Sequence, residues 1–344
     1  MTWTETTNLK FCLLNAENLF LMFDETPGKD IVELKESLWQ RLSASVYENK
    51  SLKKSQELAK ALKEINADVI MLCEVGGFES LKNFNQLFMD DAYSPCLIEG
   101  NSERNIDVGF LIRKGLPFYF DLQSNKHRPI NYLYPHERES LAHGYPIKSK
   151  ITGGSHKFSR DVAELRIFKS DKENPSMVVL LAHLKSRLDP ERIDPNGFER
   201  RRAELRTLLE IYNELEAVHP DLPILVAGDF NGNASSINTD EEFKDLYSLT
   251  QLKDVLEVAG LSAEQRATFY QVRNGSRADG RQIDFAFMSP HMQKLLKAQS
   301  TSVYRYKDEF GSEYPIPKNL DAKFNLPSDH YPLVFEIENL QLKK

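Results

Sequence analysis

The sequence predicts an α/β protein in which many short strands are connected by a few amphipathic helices. Short apolar runs rich in β-branched residues recur along all 344 residues, a pattern typical of buried strands. Amphipathic stretches alternate with these runs instead of collecting in one half of the chain. We therefore expect residues 1–344 to form one intertwined domain with enough strands for two sheets.

The predicted elements follow one another along the whole chain. The strands are residues 9–14, 68–73, 107–112, 118–122, 162–168, 177–182, 223–227, 267–271, 283–288, 301–306 and 333–337. Residues 51–65 and 198–215 carry apolar side chains at helical spacing, so both are expected to pack outside a sheet. Long polar insertions at about 24–50, 124–160 and 307–327 are predicted as loops around a site.

Composition and charge indicate an ordinary globular protein without a general affinity for polyanions. The chain is 41% hydrophobic and 28% charged, and its 44 Lys and Arg against 51 Asp and Glu leave a formal charge of −7. This charge supplies no overall attraction to nucleic acid, so a phosphate-binding surface would have to be local.

Cysteine usage and hydropathy favour the cytoplasm. Cys12, Cys73 and Cys96 form no CxxC pair, and we expect buried thiols rather than a disulfide framework. Residues 1–10 lack the apolar core of a signal peptide, and no run approaches the roughly 18 apolar residues of a membrane span. Stable membrane insertion is not expected.

The informative feature is the set of polar residues at the ends of predicted strands. Glu74 follows the apolar run 69–72 and Cys73, and Asp229 and Asn231 follow the run 224–227 and a glycine. A carboxylate at the end of a buried strand is held rigidly, as a hard cation requires. Taken singly, each is equally consistent with a solvated strand end.

Polar residues also follow other predicted strands. Asn15 ends the first apolar run, His183 follows residues 178–182 and is followed by Lys185, and the pair Asp329 and His330 precedes the last strand. An exposed strand end or a turn would explain each of them alone. Carboxylates and amides without a thiolate favour Mg²⁺ or Mn²⁺ over zinc.

Asp284 lies between two apolar residues inside a run that is predicted to be buried. A buried carboxylate is costly unless it is paired or binds a metal, so Asp284 should have a dedicated partner. A histidine is the natural candidate.

Six blocks taken together resemble a known family. They are Asn15-Ala-Glu-Asn18-Leu-Phe, Cys73-Glu74-Val, His183-Leu-Lys-Ser, Gly228-Asp229-Phe-Asn231, Ile283-Asp284-Phe and Ser328-Asp329-His330-Tyr-Pro. Their order and types resemble the endonuclease/exonuclease/phosphatase superfamily, which includes deoxyribonuclease I, neutral sphingomyelinases and inositol polyphosphate 5-phosphatases. The resemblance extends from residue 10 to residue 337 and implies a four-layer α/β sandwich, two mixed β-sheets face to face and flanked by helices.

The resemblance also implies a metal site and a reacting centre. Glu74 would be the main ligand of Mg²⁺ or Mn²⁺, helped by Asn15 and by Asp329 directly or through water. Asp229 and Asn231 would hold the attacking water or a second metal, and the scissile phosphate.

Histidines and cations complete the implied site. His330 would be the general base or a phosphate clamp, with Asp284 accepting a hydrogen bond from its imidazole. His183 would contact phosphate and assist the leaving group, and Arg160 would face the phosphate. Lys185 is either a substrate contact or a solvated charge.

The resemblance implies a divalent-metal-dependent phosphodiesterase, and the leading interpretation is a nuclease acting on DNA or RNA. Three basic clusters favour nucleic acid: Lys53 with Lys54, Lys126 with Arg128, and residues 200–202 with Arg206. The alternative is a phosphoesterase for a phospholipid head group or an inositol phosphate, for which a docking loop at residues 132–135 is the one hint. An inactive binding module is disfavoured, because the set of carboxylates and histidines is complete. Neither a GxSxG elbow nor a P-loop is present to support other chemistry.

Overall fold

A computed structural model describes residues 5–25, 27–145, 154–170, 173–273 and 278–343 of the chain. The strands are β1 (Glu5–Leu19), β2 (Val69–Val75), β3 (Tyr93–Cys96), β4 (Asp107–Arg113), β5 (Tyr119–Ser124), β6 (Val162–Phe168), β7 (Met177–His183), β8 (Ile224–Asp229), β9 (Lys253–Asp254), β10 (Phe269–Gln271), β11 (Asp279–Arg281), β12 (Asp284–Met288), β13 (Leu296–Val303) and β14 (Leu333–Leu342). The α-helices are α1 (Glu36–Arg41), α2 (Leu52–Ile65), α3 (Gly77–Phe88), α4 (Pro135–Ala142), α5 (Phe198–Val218), α6 (Lys244–Leu249), α7 (Val255–Val258), α8 (Pro290–Gln293) and α9 (Leu320–Phe324).

Two six-stranded mixed sheets carry the architecture. The first has the strand order β13-β14-β1-β2-β4-β3 and the second has the order β5-β6-β7-β8-β12-β9. Each sheet contains one parallel pair near its centre, β1 with β2 and β7 with β8, and all its other neighbours are antiparallel. The carboxyl ends of a parallel pair therefore meet at the same edge of their sheet.

The sheets pack face to face, and helices cover their outer faces. The central core joins side chains of both sheets, among them Phe11, Leu165 and Leu181, which are fully buried. A second apolar cluster lies between the first sheet and α1, α2 and α3, and a third lies between the second sheet and α5 and α6. The four-layer sandwich that the resemblance implied is confirmed.

Most predicted strands and both predicted helices are confirmed, and the differences have local causes. The strand expected at 301–306 ends at Val303 and begins earlier, because β13 pairs with β14 through a register shift. The expected loops contain the short helices α1, α4 and α9. Residues 26 and 146–153, which belong to two of these predicted loops, lie outside the described residues.

The hint of a lipid-docking loop at residues 132–135 is not borne out. Tyr132 and Tyr134 are buried against the outer face of the second sheet, with their rings edge to face at 5.2 Å, and Pro135 begins α4. Their aromatic bodies fill a gap beside α5, so no apolar tip is left for a lipid surface. No described helix is both long and apolar enough to cross a bilayer. The expectation that the cysteines are free and buried is confirmed.

Gly228 permits the close approach of β7 and β8 directly before a candidate site residue. Its φ is 147°, and a Cβ atom at this position would lie 1.7 Å from the carbonyl oxygen of Ala182. Any larger residue would therefore separate the parallel pair next to Asp229.

We expect Gly228→Ala to lower the free energy of unfolding by about 3 kcal/mol or more, because the clash is with backbone rather than with a mobile side chain. Urea denaturation measures this change. Gly115→Ala is the matched control, since Gly115 also has positive φ but has no atom within 4 Å of the point that a Cβ would occupy; it should cost only about 1 kcal/mol. Equal losses in the two variants would contradict the expected clash.

Candidate active site

The predicted site residues converge on one edge of the two stacked sheets. Asn15 and Glu74 lie toward the carboxyl ends of β1 and β2, and His183 and Asp229 are the last residues of β7 and β8. His183 and Asp284 flank Asp229 as its register partners on the two neighbouring strands. The register of the second sheet therefore places an imidazole and a carboxylate on either side of Asp229.

Irregular backbone presents the residues of the first sheet. The pairing of β1 with β2 shifts register between Asn15 and Leu19, and Glu17 and Asn18 in the shifted stretch have positive φ. Glu74 also has positive φ, at 60°, where β2 loses its regular pairing with β4. Such bulges turn side chains out of a sheet at functional edges, and here they turn Glu74 and its neighbours toward the site.

A hydrogen bond joins the two sheets inside the site. The side-chain amide of Asn15 donates to Oδ2 of Asp229 over 2.9 Å, and both residues are buried. Asn15 Oδ1 accepts from the backbone of Glu17, and the Asn15 carbonyl accepts from the Ser328 hydroxyl at 2.7 Å. Because a carbonyl oxygen has two lone pairs, Asn15 Oδ1 keeps one for the predicted metal.

His330 and Asp284 form the histidine–carboxylate pair that the sequence predicted. Nδ1 of His330 donates to Asp284 Oδ2 over 2.8 Å, and Nε2 then lies 4.0 Å from Asp229 and 3.9 Å from Asp329. Burial lowers the pKa of His330, but Asp284 and the two other carboxylates outweigh it and raise the pKa to about 10. The imidazole is therefore held as a cation with Nε2–H turned toward the site.

Asp229 is the centre of the arrangement. Its Oδ1 accepts from the backbone of Asn231 at 2.8 Å, and its Oδ2 lies 3.5 Å from Nε2 of His183. Burial and then the charge of Asp284 raise the pKa of Asp229 to about 7, against the opposing effect of His330. Burial, Arg160 and His330 hold the pKa of His183 well below its ordinary value, so His183 is neutral.

A buried lysine, Lys50, lies near two of the residues predicted to bind metal. The Lys50 ammonium donates to the carbonyls of Ala16 and Glu17 at 3.0 and 3.1 Å. Burial lowers the pKa of Lys50 to about 8, and carboxylates including Glu74 and Asp329 oppose the shift. Both carboxylates are therefore close enough to this ammonium group to affect its pKa.

The donor set fits a hard cation. Glu74 Oε2 accepts from the Asn18 amide at 3.1 Å, and Asp329 lies 3.2 Å from the Lys323 ammonium. The Cys73 thiol faces the core between the sheets, where burial raises its pKa well above 9.0, so it offers no thiolate. Asp229, Asp284 and His330 also bring ligand atoms within 4.8 Å of one another, and Asp284 Oδ1 is buried with no hydrogen-bond partner among the described residues. Carboxylate-rich sites of this kind suit Mg²⁺ or Mn²⁺.

Arg160 and Lys185, the predicted phosphate contacts, have different environments. Arg160 is 7% exposed, Nη1 donates to the Leu184 carbonyl at 3.3 Å, and Nε has no partner in the described part of the chain. The Lys185 ammonium donates instead to the carbonyls of Ser186 and Leu188. Arg160 is thus the better placed of the two to meet an anion.

Three cations near the site were not found from the sequence. Arg104 donates to the Asn18 side chain at 2.9 Å, and its charge lowers the pKa values of His183 and Arg160. The Lys323 ammonium lies 3.5 Å from the centre of the Phe269 ring and pairs with Asp329. The third cation is the buried Lys50. They come from loops and helix ends, where no apolar run points to them.

Two face-to-face mixed sheets with this site at their shared edge define the deoxyribonuclease I-like α/β sandwich class. The sequence profile of the Endonuclease/Exonuclease/phosphatase family matches residues 42–330, and the chain belongs to that family. No curated protein sequence matches the chain.

Solved structures with the same fold share little sequence with this chain. D. rerio TDP2, complexed with a single-strand DNA product, has 14% identity and a TM-score of 0.56 over 96% of this chain and 98% of its own. The human nocturnin catalytic domain with bound sulfate has 16% identity and a TM-score of 0.56, over 97% and 96%. A mannosyl-6-phosphatase of Bacteroides thetaiotaomicron has 16% identity and a TM-score of 0.54, over 95% and 98%.

Mn²⁺ should raise the melting temperature of the protein, because a ligand at about 100 times its Kd adds about 2.7 kcal/mol to stability. We expect Glu74→Gln to weaken Mn²⁺ binding about tenfold or more in a titration followed by thermal shift. Glu79→Gln, at a carboxylate of α3 that pairs with Lys82, is the control and should bind Mn²⁺ normally. An unchanged titration for Glu74→Gln would exclude Glu74 as a ligand.

Proposed function

We propose that this protein is a divalent-metal-dependent phosphodiesterase. The observation that carries the proposal is the buried His330–Asp284 pair, in which Nε2 of His330 lies 4.0 Å from Asp229. A bound Mg²⁺ or Mn²⁺ would be held by Glu74, Asn15 and Asp329. It would supply Lewis-acid stabilisation of charge on the phosphoryl oxygens.

The side chains supply the remaining chemistry. A phosphodiester repels nucleophiles through its own charge, and Arg160 and the His330 cation reduce that repulsion while they stabilise charge that builds in the transition state. Asp229, with a pKa of about 7, is suited to accept a proton from the attacking water near neutral pH. Asn231 orients the phosphate, neutral His183 donates a hydrogen bond to the leaving oxygen, and the His330 cation can supply the proton that this oxygen takes up as it departs. Lys185 remains a predicted outer contact.

Nucleic acid, DNA or RNA, is the substrate class we propose first. The DNA product bound to D. rerio TDP2 supports it, since that protein has the same fold. Chain-wide net charge of −7 limits the attraction to local groups such as Arg104 and Arg160.

A small phosphoester, such as an inositol phosphate or a phospholipid head group, is the second candidate. It is favoured because most members of the basic clusters that supported nucleic acid are engaged within the protein. Their contacts are Lys53 with Glu57, Lys54 with Glu17, Lys126 with the Glu99 carbonyl, Arg128 with Glu214, Arg200 with Glu204, Arg201 with Glu242, and Arg206 with Asp245. Paired cations contribute less to phosphate neutralisation than free ones.

A cavity lined by Gly76 and Gly77, which follow Glu74 closely in the sequence, also favours the second candidate. It has a volume of about 270 Å³, and its lining includes the stacked rings of Phe20 and Tyr47, the carboxylates of Glu99 and Asp107, and no lysine or arginine of the described chain. A lining that combines aromatic rings with carboxylate acceptors suits a neutral hydroxylated ring better than a phosphate backbone. The mannosyl-6-phosphatase of the same fold supports a substrate of this kind.

Location and domain structure complete the proposal. Three free, buried cysteines support a reducing compartment, and we propose the cytoplasm. The pairing of β1 with β14 supports a single domain over residues 1–344.

Bis(p-nitrophenyl) phosphate and supercoiled plasmid test the activity and its first substrate class. We expect hydrolysis that needs Mg²⁺ or Mn²⁺, stops with chelator, and falls about 10²–10⁴-fold in His330→Ala and Asp229→Ala, because each removes a proton-transfer or charge-stabilising group. His291→Ala is the matched control, at a surface histidine near Asp221. Undiminished hydrolysis by both site variants would refute the proposed function. Diester hydrolysis with intact plasmid and RNA would reject nucleic acid.

Tyr47→Ala tests the second candidate. If a hydroxylated ring occupies the cavity, the variant should raise KM for inositol or sugar phosphates about tenfold, through loss of stacking, and leave bis(p-nitrophenyl) phosphate hydrolysis unchanged. Tyr119→Ala, at a tyrosine that is 71% exposed on the far strand β5, is the control. Equal KM values for Tyr47→Ala and wild type would reject the cavity as a substrate site.

A further inference from the structure

Helix α5 places one buried carboxylate between two segments of the candidate site. Glu204 is 1% exposed; its Oε1 accepts from the backbone amide of Ser159 at 2.7 Å and its Oε2 accepts from the backbone amide of Lys185 at 2.6 Å. Ser159 lies just before β6, and Lys185 lies just after β7. A single side chain therefore bridges two loops that no strand pairing joins at these residues.

The two bridged segments carry the groups that would meet phosphate. Ser159 is followed directly by Arg160. The other segment provides the Leu184 carbonyl, which accepts from Arg160 Nη1 at 3.3 Å and from the Asn231 side-chain amide at 3.1 Å. It also begins with His183, whose Nε2 lies 3.5 Å from Asp229. The position of Leu184 thus fixes two candidate phosphate donors at once.

Helix α5 also binds the backbone carbonyl of Lys185. Arg201, one turn before Glu204, donates from Nη1 to the Lys185 carbonyl at 3.0 Å, and its guanidinium is paired with buried Glu242. The amide and the carbonyl of Lys185 are therefore both bonded to α5. Glu204 also acts on Arg160 through its charge. Burial lowers the pKa of Arg160, and among the carboxylates that oppose this shift Glu204 has the largest influence.

We propose that Glu204 is a positioning residue, which holds the segments around Arg160 and Leu184 in the one arrangement where Arg160 and Asn231 converge on the phosphate. The proposal rests on the proposed phosphodiesterase function. This role is additional to that function, because Glu204 itself contacts the backbone amides of Ser159 and Lys185 and not the groups that would react. Preorganised donors act only when they are correctly placed, and a displacement of about 1 Å costs about 100-fold in rate.

Variants of similar size separate positioning from general stability. Glu204→Met keeps most of the side-chain length and removes both acceptors, whereas Glu204→Gln keeps one acceptor oxygen. Leu208→Ala is the control, because Leu208 is a fully buried apolar residue one turn further along α5. It loosens the packing of the helix and leaves both Glu204 hydrogen bonds in place.

Hydrogen exchange provides a readout that does not need activity. In folded Glu204→Met we expect the amides of Ser159 and Lys185 to exchange about tenfold faster or more, as loss of a bond to a charged acceptor requires. Glu204→Gln should be intermediate, and Leu208→Ala should show wild-type protection at both amides. Unchanged exchange at both amides in Glu204→Met would overturn the proposal, and this result is independent of whether the protein hydrolyses any phosphodiester.

A double-mutant cycle with Arg160 tests how Glu204 acts. With bis(p-nitrophenyl) phosphate we expect Glu204→Met to lower kcat about 100-fold with little change in KM, and Leu208→Ala to keep kcat near wild type. Because Glu204 acts partly through Arg160, the loss of kcat caused by Glu204→Met should be clearly smaller in an Arg160→Met background than in wild type. Multiplying losses, or equal losses of kcat in Glu204→Met and Leu208→Ala, would show a merely structural role. If wild type is inactive toward every phosphoester, the proposed function fails while the exchange test still decides the positioning.

Discussion

The hydrogen bond between Asn15 and Asp229 is the constraint on which the arrangement of the site depends. It joins residues 214 positions apart, one from each sheet, in a buried environment at the shared edge. Two sheets packed by apolar side chains alone would tolerate small sliding, because the hydrophobic effect has no direction. A bond between buried polar groups is directional and costly to leave unmade, so it fixes the relative position of the two edges.

The energetic cost of burying two neighbouring carboxylates explains the polar network of the site. Asp229 and Asp284 are register partners on adjacent strands and both are buried, so their charges oppose each other and the pKa of Asp229 rises. His330 lies between them with a raised pKa and supplies the compensating charge. Oδ1 of Asp284 is buried and has no hydrogen-bond partner among the described residues. The hydrogen-bond network of the site is therefore incomplete at this atom. Polar groups left in this way are usual at functional sites, where a ligand completes them.

The sequence predicted the strand framework and the residues that end it, because both depend on local patterns. Apolar runs located β2, β7 and β8, and the polar residues directly after them were Glu74, His183 and Asp229. Asp284 was expected to need a histidine, and His330 is its partner at 2.8 Å. These inferences needed only the pattern of apolar residues along the chain, the burial that this pattern predicts, and the energetic cost of an unpaired buried charge.

What the sequence did not predict depends on contacts between distant segments. Arg104 lies in a polar loop, and Glu204 lies on a helix face beside Arg200 and Arg201, which belong to a basic cluster that favoured nucleic acid. The role of Glu204 follows only from the two backbone amides that it meets at 2.7 and 2.6 Å. Tyrosine and proline are common in loops, so the sequence favours an exposed loop at residues 132–135, whereas α5 provides a surface that buries both rings.

Chemistry and substrate choice reside in different parts of this structure. Asp229, Asp284 and His183 are fixed by strand register, so loop changes leave their geometry intact. The cavity lined by Tyr47 and Glu99, and the exposed Arg104, belong to segments between the strands. Because loops vary without disturbing the sheets, one fold can present the same strand-end residues beside different binding surfaces. In this chain most of the basic residues that favoured nucleic acid are paired within the protein, so those residues offer little free positive charge.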